Sequence, residues 1–201
     1  PELAGLHGVF SARAKDVLSE ARLFLKLVEI INAKGLKPDT YALSADFTGS
    51  IESANDQAID VRFTKGFTRV AWLSLKPREM LEFYNRLKPQ GDDLYTVAVY
   101  CYQNHLDKDA AKLLNQLAQA EPTRKETIDR CVAQARGIEV PHGGFVFHRD
   151  GWLTPDELKY SQLDEQVDGI VAHLGRTDDK MITRDMLRGI GRSEPVEQRV
   201  E

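Results

Sequence analysis

The chain has 201 residues, 42% of them apolar, with 27 Lys and Arg against 31 Asp and Glu and a net charge of -4. A chain of this length buries roughly 70% of the surface it exposes when unfolded, enough for one domain or two small ones without structural metal or disulfides. The acidic balance argues against a nucleic-acid or anionic-membrane surface as the dominant partner. The longest apolar run falls well short of the roughly 18 residues that cross a bilayer, which excludes a transmembrane helix.

Pro1 to Phe10 lack the basic stretch that opens a signal peptide, and a chain starting without Met is expected to be a processed product or a piece of something longer. Cys101 and Cys131 fall in apolar helical segments, where a cysteine behaves as a small hydrophobe. A disulfide is therefore not expected, and a cytoplasmic location is favoured.

Ser11 stands at an N-cap position, and Ala14, Val17, Leu18, Ala21, Phe24, Leu25, Val28 and Ile31 recur at steps of three and four. This predicts a long amphipathic helix ending at Gly35, before the break imposed by Pro38. From Ala42 to Leu73 the period shortens to two, with Ile59, Val61 and Phe63 alternating with Asp60, Arg62 and Thr64. An antiparallel meander follows, with strands near 41–48, 49–53, 58–63 and 68–72. Such a small sheet cannot cover both of its faces, so one face is expected on the first helix.

Pro77 suits the first turn of a helix carrying Met80, Leu81, Tyr84 and Leu87. Asp92 and Asp93 open another with Leu94, Val97, Ala98 and Cys101. Asp107 or Asp109 opens the next, with Ala110, Leu114 and Leu117. Glu121 to Thr123 opens a third, with Ile128, Cys131, Val132 and Ala135, stopped by Gly137. The links are short, which forces antiparallel neighbours and a stack of helical hairpins. Within it, Tyr95, Val97, Ala98 and Cys101 on one helix, Ala110, Leu114 and Leu117 on the next, and the closing Pro122 resemble one tetratricopeptide repeat in size and spacing. The resemblance implies a scaffold for peptide or protein contact. The β segment, through Gly49-Ser50-Ile51, Ile59-Asp60-Val61 and Val70-Ala71-Trp72, is similar to small SH3-like or Sm-like bent sheets.

After Gly137 the pattern returns to strands: Ile138, Val140 and Phe145-Val146-Phe147, then a turn at Arg149-Asp150-Gly151 into Trp152 and Leu153. Thr154 can cap, Pro155 can take the first helical position, and the helix they launch carries Leu158, Leu163, Val167, Ile170, Val171 and Leu174. A shorter helix is predicted around 183–190, and a poorly ordered polar tail from Gly191.

Motifs with chemistry are sparse. Asp150 to Glu157 matches the second half of an EF-hand loop, but Val146 and His148 stand where a calcium ion needs oxygen ligands, so a turn and a capped helix are the simpler reading. His142 and His148, six apart, would share one side of an extended segment and could ligate a transition metal. Arg62, Lys65 and Arg69, interleaved with Phe63 and Phe67, form a candidate nucleic-acid surface, set against acidic neighbours such as Glu52 and Asp60. No nucleophile elbow, phosphate loop or dinucleotide fingerprint is present.

The expectation is an α+β chain: a long helix on a small antiparallel sheet over 1–75, tetratricopeptide-like hairpins over 76–137, a β-hairpin with a helical arm over 138–190, and a tail. The favoured function is a non-enzymatic protein-protein interaction or scaffold module, without cofactor, whose partner is another protein or a second copy. Candidate contacts are an aromatic groove of Tyr95, Tyr100, Tyr102 and His105, and the stripe of Leu163, Val167, Ile170 and Leu174 on the arm. Two other readings stand beside it: a metal-dependent enzyme or regulator around His142, His148, Asp150 and Glu157, and nucleic-acid binding through the sheet.

Overall fold

Helix α1 spans Glu2–Lys34 in the computed structural model, which describes residues 2–34, 36–44, 47–63 and 66–174. The short helix expected at 183–190, the tail from 191 and Lys65 lie outside the described residues. Ser11 falls within α1 and not at its start, because Leu3, Ala4, Leu6 and Ala12 are helix-compatible and no Pro follows Pro1 to stop propagation. Leu23, Leu27 and Ile31, four apart, form the buried side of the helix.

The sheet that α1 meets has four antiparallel strands in chain order: β1 (Leu36–Ser44), β2 (Phe47–Ala54), β3 (Ala58–Phe63) and β4 (Gly66–Ala71). The first strand starts at Leu36, ahead of the expected Tyr41, and contains Pro38. This is tolerated because β1 is an edge strand, where a missing N–H need not break a ladder. Ile51, Ile59, Val61 and Val70 are buried, while Glu52, Arg62 and Arg69 point away. Gly49 is required by crowding: a methyl group there would lie 2.6 Å from Val61 Cγ1 and 2.8 Å from the Arg62 carbonyl.

Two side chains tie helix to sheet. Asn32 donates to the Ala54 carbonyl at 2.8 Å and accepts from the Ala54 amide at 2.9 Å, completing the end of β2. Trp72, in a 3-10 turn after β4, donates to the Asn55 carbonyl at 2.7 Å and sets its ring edge-on to Phe24 and Phe83. One tryptophan thus joins α1, the β2–β3 turn and the first of the following helices.

Those helices are α2 (Pro77–Arg86), α3 (Gly91–Gln103), α4 (Asp107–Ala120) and α5 (Lys125–Arg136). Met80, Leu81, Phe83 and Tyr84 of α2, Val97, Ala98 and Cys101 of α3, Leu114 and Leu117 of α4, and Ile128 and Val132 of α5 are buried at helical spacing. Pro122–Arg124 form a 3-10 turn, so α5 starts slightly later than Glu121 to Thr123 suggested. Gly137 ends α5 with φ +66°, the left-handed geometry glycine adopts without strain.

Residues 1–137 form one compact unit, because α1 touches β1, β2, α2 and α3. Residues 138–201 form a second. In it, β5 (Val146–His148) and β6 (Gly151–Leu153) make a hairpin followed by α6 (Pro155–Leu174). Ile138 and Val140 are outside any strand: Pro141 and the Gly143–Gly144 pair, at φ +87° and +73°, bend the chain into a turn closed by the Gly144 amide on the Pro141 carbonyl. The chain is α+β, a long helix on an antiparallel meander with helical hairpins, then a β-hairpin and a helical arm.

Candidate functional site

Tyr95, Tyr100 and Tyr102 are half-buried along α3, and their rings serve helix packing. The Tyr100 hydroxyl donates to the Pro77 carbonyl at 3.3 Å, and its ring meets Tyr84 edge-on at 5.3 Å. Tyr95 shares a hydrogen bond with the Cys131 thiol, which holds α3 to α5. Burial pushes the Tyr100 phenol up to about 12 and moves Tyr84, Tyr95 and Tyr102 upward as well, so all four are neutral donors at physiological pH.

Tyr95 and Tyr100 also line a shallow cleft between α1 and α3, with Asp16 and Glu20 on the opposite wall. Its volume is about 20 Å³, room for one water and far below the few hundred Å³ that a small-molecule substrate fills. Tyr102 and His105 are not part of that lining. His105 instead reverses the chain after α3. It adopts φ +58° while its amide bonds to the Tyr102 carbonyl and the Leu106 amide bonds to the Cys101 carbonyl, a Schellman end with histidine in the slot glycine usually fills.

Cys101 and Cys131 are free, buried thiols. Burial raises them to about 12 and about 11, so neither is a thiolate nucleophile near neutral pH.

On the outer face of the sheet each described arginine spends its charge on a carboxylate. Arg62 pairs with Glu52 and lies over the Phe67 ring, 4.5 Å from its centroid. Arg69 donates to Asp60 at 2.8 and 3.2 Å, and Ser53 donates to the same carboxylate at 2.8 Å. The Arg69 bond first, then that from Ser53, holds the Asp60 carboxyl below its ordinary value. Phosphate would have to displace these carboxylates.

In the second unit, the bend at Pro141–Gly144 separates His142 from the extended segment, so the even spacing no longer puts it on the same side as His148. His142 is exposed, whereas His148 Nε2 lies 2.8 Å from Glu165 Oε1, an oxygen that Arg149 also reaches at 2.9 Å. Glu157 closes a capping box: its carboxylate accepts the Thr154 amide at 2.8 Å, and the Thr154 hydroxyl accepts the Glu157 amide at 3.2 Å. Arg149 and Asp150 form the hairpin turn between paired His148 and Gly151. Among the described residues no group of three or more His, Cys, Asp or Glu side chains could hold a metal ion.

Helix α6 carries apolar side chains in solvent. Leu163 is 48% and Ile170 50% exposed, and Val167 is half-buried between them. Tyr160, 67% exposed, extends the stripe by one step. Sequence reading missed it, although its position three residues before Leu163 was the available signal. On α1, Val17, Leu18 and Leu25 are likewise exposed, Leu18 and Leu25 on the side away from Leu23, Leu27 and Ile31. Among the described residues no helix is long and apolar enough to cross a membrane. Comparison with family models, with curated proteins and with solved structures gave no match to the chain.

Proposed function

We propose that this protein is a non-enzymatic interaction or scaffold module that docks a protein partner through α6. The observation that carries the reading is the exposed stripe of Tyr160, Leu163 and Ile170 on a helix that buries no side chain fully among its described residues. Most helical stability in proteins comes from covering an apolar face, and this 20-residue helix leaves one in solvent. The resemblance of Tyr95 to Pro122 to a tetratricopeptide repeat fits this role, since such repeats serve as scaffolds. Elsewhere the chemistry favours the same side: thiols and phenols are held neutral by burial, and Glu157 is committed to capping.

The test is cross-linking of the full-length chain in an extract of its native source, compared with Leu163→Glu/Ile170→Glu. A protein joined to the chain in stoichiometric yield, its own copy included, and lost in the double variant is the expected result. Equal cross-linking in both, or none in either, overturns the reading.

A further inference from the structure

We propose that the occupant of the α6 stripe is the α6 of a second copy of this chain, paired in parallel and in register. This rests on the interaction reading above and names the partner. Tyr160, Leu163, Val167, Ile170 and Leu174 follow one another at steps of three, four, three and four, the repeat of a helix seam that meets another helix.

The stripe faces away from its own hairpin. Leu158, Ser161 and Glu165 share the opposite side of α6 and are each half-buried, and it is Glu165 that His148 and Arg149 reach. The hairpin therefore does not obstruct a second helix on the stripe.

Charge selects the partner and its direction. Lys159 and Asp164 flank the stripe on its two sides, five residues apart, the separation at which flanking positions meet across a parallel, in-register pair. Two-fold symmetry gives the contact twice, Lys159 of each helix against Asp164 of the other. An antiparallel pairing sets Asp164 against Asp164, Glu157 or the uncharged Val171 of its neighbour, none of which returns the attraction to Lys159. Lys159 now holds Asp156 at 3.1 Å and Asp164 has an interaction of its own; all three side chains are exposed, and surface pairs of this kind exchange at little cost.

Sedimentation equilibrium of the full-length chain over a concentration series, with variants, decides the matter. The wild-type chain is expected to dimerise and Leu163→Glu to lose the dimer. Lys159→Glu should weaken it about tenfold, and Lys159→Glu/Asp164→Lys should restore it, a rescue that a merely misfolded variant does not give. Mild oxidation of Leu163→Cys should give a covalent dimer, and a mixture with Ile170→Cys chains only like-with-like products. A wild-type chain that stays monomeric, an unrescued charge variant, or mixed 163–170 products overturns the proposal. If it fails while a different protein is still lost with Leu163→Glu/Ile170→Glu, the interaction reading stands and self-pairing falls; if no protein is lost either, both fall.

Discussion

A thiolate taken out of water among apolar side chains loses far more than a thiol does, so Cys101, fully buried on α3, and Cys131, nearly so on α5, hold their protons more tightly folded than unfolded. Their folded values lie above the ordinary one. This contribution to stability is therefore complete below the thiol's ordinary pKa, about 8.5, and is lost as pH climbs toward about 11 and about 12. Neither thiol should react with an aromatic disulfide reagent at neutral pH, and both should react in denaturant, as read by absorbance. The melting temperature followed by circular dichroism should hold to about pH 8.5 and fall above it. Cys101→Ala should make that alkaline fall shallower, even while it lowers stability at neutral pH by leaving a small cavity.

Helix ends show how single positions set whole elements. At the start of α6 the Thr154 hydroxyl and the Glu157 carboxylate satisfy each other's backbone amides, and Pro155 occupies a position whose N–H would have no helical acceptor. Thr154→Ala should cost about 1 kcal/mol, seen as faster amide exchange at the start of α6 in residues 156–160. At the end of α3 the opposite sign is expected. His105 is held at φ +58°, where a side chain is disfavoured, so His105→Gly should raise stability by about 0.5 to 1 kcal/mol in urea denaturation. A loss of stability there would mean that the exposed imidazole makes a contact beyond its backbone role.

At the scale of the molecule, the chain divides after Gly137. Among the described residues the first unit holds nearly all of the buried apolar side chains, from Leu23 on α1 to Ala133 on α5, while the second buries Phe145 and Trp152. A chain ending at Gly137 should therefore unfold in one cooperative transition, with its helix and sheet signals melting together by circular dichroism. The isolated 138–174 segment should show little cooperativity alone, because a hairpin of two three-residue strands and one helix cannot bury enough apolar surface to offset ordering. Separate loss of sheet and helix signals in residues 1–137 would show that α1 does not bind the two parts into one unit.

Local rules were legible wherever the deciding physics is local. The alternation of Ile59 and Val61 with Asp60 and Arg62 announced the sheet, Pro77 and Pro155 announced helix starts, Gly137 announced a helix end, and Thr154 announced its own cap. Tertiary structure alone decided the rest. Pro38 sits in a strand only because that strand became an edge, and His142 and His148 lost their shared side to the bend at Pro141–Gly144. The same holds for the aromatic residues: composition marks Tyr95, Tyr100 and the α6 stripe alike as apolar, and only the neighbours supplied by distant segments bury the tyrosines in part while leaving Leu163 and Ile170 in water.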